Sequence, residues 1–383
     1  MSTEPAQPAD RKVARDAARD AAAAGSVRTD AAAPADGMGK RLSAGRFAKI
    51  LFICLGLFVL AVLVSPLFGS AHIDLREALD FARPLADNPA ARVLLYGRLP
   101  RVLAAATAGA GLSAAGVAFQ ALLRNPLACP FTLGVSSGSS LGAVLAIRFG
   151  LESLTIFGWA LGELALPLSA SLFALLVVAL VFWLGERAAT GPTTLLLSGV
   201  TLAVLASALI MAVIYTADFG QTYRIVRWQM GDLDVMRHDL VLRMAGPVLL
   251  ALMLLWPRAR DLNALSAGAD AAAGLGVDVQ RATRWVYLAS SLAVGAVVAV
   301  AGPIGFVGLL VPHTLRSLIG PDHRVLLPAA ALCGGSFLVV CDLLSQVVAR
   351  PAVLPVGVVT ACIGAPFFVG LLLSRGLRAK LWS

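Results

Sequence analysis

Apolar windows of about 20 residues, long enough to cross the hydrocarbon core of a bilayer, recur from Phe47 almost to the C-terminus. A chain threaded through lipid meets no water there, so each window must become a helix that satisfies its own backbone. Ten are read, at 47–69, 101–123, 132–150, 164–185, 193–216, 238–257, 284–302, 304–319, 325–347 and 354–375. The eighth is short and carries Pro312. Composition agrees: 58% of the residues are hydrophobic and 14% charged, against about a quarter charged in soluble domains. The expected fold is all-α and polytopic, one ten-helix transmembrane domain over residues 47–383. A soluble domain on a single anchor is excluded.

Residues 1–46 differ in kind. They are Ala-rich, charged and nearly free of large apolar side chains, and are expected to form a disordered cytoplasmic tail. The segment is too long and too acidic for the basic start of a signal peptide. Gly69-Ser70-Ala71 resembles a cleavage site, but an uncleaved first span is expected. With the N-terminus in the cytoplasm, 20 of the 31 Lys and Arg fall on that side, counting the tail through Lys49, alternate loops and the C-terminus. The positive-inside rule then places both termini in the cytoplasm. The net charge of +9 follows from this topology and needs no nucleic-acid partner. A faint inverted symmetry pairs 98–119 with 284–306, and 195–204 with 353–362.

Small residues crowd two of the helices. Gly109, Gly111, Ser113, Ala115 and Gly116 lie in the second span, and Gly138 and Gly142 in the third. In lipid such residues let helices approach closely, and packing accounts for any one of them. The run Ser136, Ser137, Ser139 and Ser140 exceeds what packing requires and is read as a weakly polar wall along a wide pathway. The turn from Arg124 to Pro130 ends a helix, because two prolines remove two amide donors.

Arg98-Leu99-Pro100-Arg101 sits at the start of the second span, on the arginine-poor side. Proline suits a first helical turn, whereas two arginines there oppose the macrodipole. They read either as headgroup anchors or as a docking patch for an acidic partner. Between the sixth and seventh spans, Asn263–Arg284 fits two short helices along the membrane surface, broken at Gly268 and at Gly274 and Gly276. It reads as a plain loop or as a platform for a cytoplasmic motor, and its length favours the platform.

Absences narrow the chemistry. No G-x-x-x-x-G-K-[ST] segment occurs, so no ATP is held through a phosphate-cradling loop. Cys54, Cys129, Cys333, Cys341 and Cys362 lack metal or disulfide spacing and read as free buried thiols. The four histidines lie far apart. No metal, cofactor or catalytic site is expected. Asp342 is the clearest intramembrane acid, and a proton-coupled carrier usually needs several.

Five blocks then carry a resemblance: "RLPR" (98–101), "LLRNPLACPFTLGVSSG" (122–138), "GFVGLLVPHTLR" (305–316), "DHRVLLPAAALCG" (322–334) and "LPVGVVTACIGAPFF" (354–368). Over roughly Phe47 to Leu377 the chain resembles the FecCD family of permeases, the membrane subunits of bacterial ABC importers for iron–siderophore complexes, haem and vitamin B12. The resemblance implies the type II importer fold of the vitamin B12 permease, with ten helices per subunit. It implies a homodimer in the inner membrane, two cytoplasmic ATPase subunits and a substrate-binding protein on the outer face.

Site roles follow from the same resemblance. Arg98 and Arg101 would face acids on the binding protein. The family carries a third arginine where this chain has Gln346, with Arg350 one turn later. Thr193 and Thr194 match the segment before the fifth helix that forms the cytoplasmic gate. Gly268, Gly274, Leu275 and Gly276 match the ATPase-coupling loop. Cys129 stands where the family often has an acid. Ferric siderophore is the cargo taken, from the breadth of the family, with haem or vitamin B12 as the alternative. A proton-coupled secondary carrier is the remote one.

Overall fold

The computed structural model describes residues 44–69, 73–80, 83–151, 155–156, 159–160, 162–188, 191–233 and 238–373. The expected tail therefore lies outside the described residues as far as residue 43. The main helices are α1 (Ala44–Val64), α2 (Leu99–Leu122), α3 (Val135–Arg148), α4 (Gly162–Ala188), α5 (Gly191–Thr216), α6 (Phe219–Gln229) and α7 (His238–Leu255). They continue as α8 (Ala259–Ala267), α9 (Ala269–Gly274), α10 (Val279–Ala301), α11 (Val307–Ile319), α12 (His323–Val347) and α13 (Val356–Leu373). Each of the ten expected windows holds one of these helices. Among the described residues, seven helices are long and apolar enough to cross a membrane. The fold is that of a multi-pass membrane protein.

Three expectations need correction. α3 has 14 residues and α11 has 13, so each rises only about 20 Å, short of a full crossing. α6 lies where a loop was expected. It is amphipathic rather than apolar, and the side chain of Asp218 caps it by accepting from the Gln221 amide.

The third correction concerns the RLPR segment. The second span does not begin at Arg101: a helix runs unbroken from Pro89 to Leu122. Proline inside an α-helix lacks a donor and strikes the carbonyl four residues back. Here residues Val93–Arg98 widen into a π-helical turn just before Pro100, which relieves that clash. Arg98 and Arg101 are therefore mid-helix, and no helix terminus opposes their charge.

α2 is the axis of the bundle. It packs against α7, α10, α11 and α12, and nearly every residue from Val102 to Leu123 is buried. Glycine makes this possible. A Cβ at Gly109 would strike the Gly334 carbonyl on α12, and one at Gly116 would strike the Gly308 carbonyl on α11. Backbone meets backbone at both crossings, which gains dispersion contact that lipid cannot supply. A second group packs α3 against α4 and α5. There a Cβ at Gly142 would strike the Ser169 carbonyl, and Ser169 Oγ donates to the Gly142 carbonyl at 2.7 Å. α10 joins the groups by touching α2, α3, α4 and α7.

A side chain at the α2–α11 crossing should overpack it. Gly116→Val is expected to cost about 1–3 kcal/mol or more, read as a fall in the thermal unfolding midpoint in detergent. Gly246 on α7 meets nothing within 4 Å, so Gly246→Ala should hold or raise the midpoint. Equal effects of the two substitutions would show that close approach is not what Gly116 provides.

Candidate functional site: the two polar ends of the bundle

The sequence-predicted residues gather at opposite ends. One end collects Arg98, Arg101, Gln346 and Arg350. The other holds the α8–α9 platform.

At the arginine end the cations are tied into the fold. Arg101 Nε donates to Asp342 Oδ1 at 2.9 Å and to Oδ2 at 3.1 Å. Asp342, on α12, is fully buried. Its Oδ2 also accepts from Gln346 Nε2 at 2.9 Å, one helical turn on. Gln346 thus acts as a donor to this carboxylate. Asp232, after α6, lies 3.9 Å from Arg101 Nη2 and 3.5 Å from Arg227 Nη2. Arg98 is buried, and its Nη1 donates to the Pro66 carbonyl at 2.9 Å. Arg350 is exposed, and its Nη2 donates to the Gly69 carbonyl. The Arg98 guanidinium also packs on Gly69, where a Cβ would come within 2.9 Å of it. Arg98 and Arg350 thus converge on the turn after α1.

Sequence reasoning missed Asp232 and Arg227. The segment around Asp232 is fixed by glycines: Gly231 has φ +70 and Gly302 φ +67. A Cβ at Gly302 would strike the Trp228 carbonyl, and one at Gly357 the Met230 carbonyl. Asp232 N donates to the Ala301 carbonyl at 2.9 Å, so the carboxylate is held over the end of α10.

At the platform end, two short helices form as expected. Gly268 separates α8 from α9 with φ +122. α9 closes in a Schellman turn: Val277 N bonds the Ala272 carbonyl at 3.0 Å, and Gly276 N bonds that of Ala273 at 2.9 Å. Gly276 takes the left-handed position at φ +81. Gly274 is the last residue of α9. The bend therefore rests on Gly268 and Gly276 and not on Gly274. Leu275 stands at the tip, 74% exposed.

The platform is latched to α12. Asn263 on α8 donates to Asp322 Oδ1 at 2.9 Å. Its own Oδ1 accepts from His323 N at 2.9 Å and faces His323 Nδ1 at 2.7 Å. Asp322 caps α12 and pairs with Arg324 at 2.6 Å. The Arg324 guanidinium, helped by Asn263, holds the Asp322 carboxyl down at about 2. Beside the platform, Gly268 approaches Arg124, whose turn leads to Cys129. Burial pushes the Cys129 thiol above its ordinary range, so it is neutral at pH 7.

The remaining site residues fall differently from expectation. Thr193 and Thr194 lie inside α5, not before it, because Gly191 and Pro192 already form its first turn. Ser136, Ser139 and Ser140 are buried in the packing of α3, and only Ser137 keeps partial exposure. The close approaches on this helix are made by Gly138 and Gly142, against Val177 and Ser169 of α4. Cys362, expected to be buried, is exposed. Among the described residues, no three His, Cys, Asp or Glu side chains come together as a metal site.

Removing Arg101 would leave the Asp342 carboxylate buried without its cation. Arg101→Ala should cost about 3–5 kcal/mol, and Arg101→Ala with Asp342→Asn should recover most of it. Thermal unfolding of the single and double variants checks this. An Arg101→Ala variant as stable as wild type would mean the pair contributes nothing here.

Comparison with known proteins places this geometry. The FecCD transport family matches residues 57–374. An ABC transporter permease protein of Bacillus subtilis is 38% identical over 88% of this chain and 96% of its own length. The hemin transport system permease of Yersinia pestis is 36% identical over 83% and 95%. The cobalamin import system permease of Halobacterium salinarum is 42% identical over 74% and 73%. Among solved structures, a metal-chelate type ABC transporter in an inward-facing conformation superposes with a TM-score of 0.72. It is 33% identical, covering 85% of this chain and 99% of that one. Matched over residues 57–374 and by relatives along most of its length, this chain belongs to the FecCD transport family.

Proposed function

We propose that the chain is the permease subunit of an ATP-binding cassette importer and takes a metal chelate across the membrane, with ferric siderophore as cargo and haem or vitamin B12 as the alternative. The observation that carries the proposal is the platform: an exposed Leu275 on a glycine-set bend, hydrogen-bonded through Asn263 to a helix that runs to the opposite end. Such an element suits a chain that binds no nucleotide and must be moved by one that does. Two copies would line the pathway, with two ATPase subunits below the platforms and a binding protein above. Thr193 and Thr194 would stand at the cytoplasmic gate. The Lys and Arg distribution supports a cytoplasmic platform end and cytoplasmic termini, in the inner membrane of a bacterium. The buried acid Asp342 is engaged by Arg101, which disfavours a proton-carrying role for it.

The arginine end would then receive the binding protein. Arg350 is exposed, so it would make the outward contact, while Arg98, Arg101 and Gln346 would hold the surface beneath it. Arg350→Glu should weaken docking, and most at low ionic strength, because the Debye length is only about 8 Å at physiological salt. Binding measured against salt in nanodiscs checks this, and affinity equal to wild type at every salt concentration removes Arg350 from the contact.

Reconstitution with a cognate ATPase tests the function itself. The lone chain should hydrolyse no ATP, and liposome uptake should require ATPase, ATP and binding protein together. Gly276→Val forces a β-branched residue to positive φ. It should lower cargo moved per ATP without lowering membrane abundance. Uptake by the lone chain on a proton gradient would overturn the importer reading in favour of a secondary carrier.

A further inference from the structure

Two cysteines from distant parts of the sequence meet inside the bundle. Cys54 stands ten residues past Ala44 on α1, and Cys333 ten residues past His323 on α12. Each therefore lies about 15 Å along its helix, within an apolar span. Both thiols are free, and they share a hydrogen bond. The packing on either side agrees. One turn after Cys54, the Phe58 ring lies so close to Gly335 that a Cβ there would come within 2.7 Å of it. One turn before Cys54, Leu51 lines the same apolar groove as Leu332. Cys54 is buried, while Cys333 keeps partial exposure.

Two thiols in contact are one oxidation away from a covalent bond between their helices. A soft metal ion held by the two thiolates would leave a charge inside lipid, whereas a disulfide is neutral. The sulfurs have to close from hydrogen-bond contact to about 2.05 Å. α1 has the freedom to approach, because only 17% of its apolar window is buried, against 67% for α12. At this depth a charged or strongly hydrated oxidant pays heavily to enter. A hydroperoxide on a hydrocarbon chain dissolves there.

We propose that Cys54 and Cys333 form a redox-sensitive staple, closed to a disulfide by an organic hydroperoxide of the bilayer. The Cys333 sulfur is the more accessible and takes the terminal hydroxyl of the hydroperoxide. The O–O bond breaks, the alcohol leaves with the Cys333 thiol proton, and a sulfenic acid remains. The Cys54 sulfur then attacks the Cys333 sulfur. The S–O bond breaks, and hydroxide leaves as water with the Cys54 proton. The thiols lose two electrons, and the hydroperoxide gains them in becoming alcohol and water. The staple fixes the lightly held α1 on the helix that links the two polar ends.

The test uses the full chain in liposomes, treated with cumene hydroperoxide, alkylated and digested without reductant. Mass spectrometry should find the peptides of Cys54 and Cys333 joined, with loss of alkylation at both. The thermal unfolding midpoint in detergent should rise, and dithiothreitol should reverse both effects. Cys54→Ala and Cys333→Ala should each abolish the joined peptide and the rise. If Cys54→Ala does not fold, Cys333→Ala, at the partly exposed position, carries the decision. The exposed Cys362 is the control for joining between copies. Crosslinks through Cys362 alone, with Cys54 and Cys333 still open to alkylation, overturn the proposal. Oxidation of Cys333 to a sulfinic acid without joining overturns it too, as does a midpoint rise that persists in both variants.

Discussion

The architecture depends on backbone-to-backbone contact along α2. In water, burying apolar area would drive such helices together, but lipid is as apolar as leucine and removes that force. What remains is dispersion between surfaces that fit, and it falls away steeply with separation. Gly109 against Gly334 and Gly116 against Gly308 bring the axes close enough for it to matter. Everything at the ends is positioned by these crossings. Arg101 reaches Asp342 because α2 and α12 are already in register about two turns away, at Gly109 and Gly334.

The two ends are built differently, and the difference suits different partners. At the arginine end Arg101 pairs with Asp342 and Asp232 inside the chain, while Arg350 keeps its cation at the surface. Arg101 spends its charge on Asp342, with Gln346 as a second donor to the same carboxylate, and Arg98 is held on the Pro66 carbonyl. The platform end exposes a leucine on a rigid turn and keeps its polar groups behind it, in the contacts among Asn263, Asp322 and His323. An exposed cation such as Arg350 gives steering and selectivity; an apolar knob on a fixed bend transmits force.

Much of this was legible in the residues. Apolar windows located ten helices, and Gly268 and Gly276 marked a bend that their positive φ values bear out. Asp342 stood out as an acid within a span, but its partner did not, because Arg101 lies 241 residues away in sequence. Only the α2–α12 crossing brings them together. α6 was missed because hydropathy is blind to a polar surface helix, although Asp218 three residues before Gln221 was a capping signal. The RLPR segment misled for a local reason. Proline was taken as the start of a helix, and the π-turn that lets a helix continue through it leaves no mark in composition.

α12 is gripped at both tips, by Asn263 near its start and by Arg101 near its end. Its 25 residues rise about 37 Å. Two places along it could flex. Gly334 and Gly335 are the softer by composition, but α2 clamps them: side chains there would strike Gly109 and Ser113, and the Ala106 carbonyl and Phe58. Pro328 instead lines an open apolar groove between α1, α7 and α12, and it leaves the Arg324 carbonyl without its usual donor. Bending of α12 is therefore concentrated within two turns of the Asn263 contact. Beyond that joint the helix behaves as a stiff rod, which confines mechanical compliance to the platform end and leaves the arginine end as the fixed anchorage.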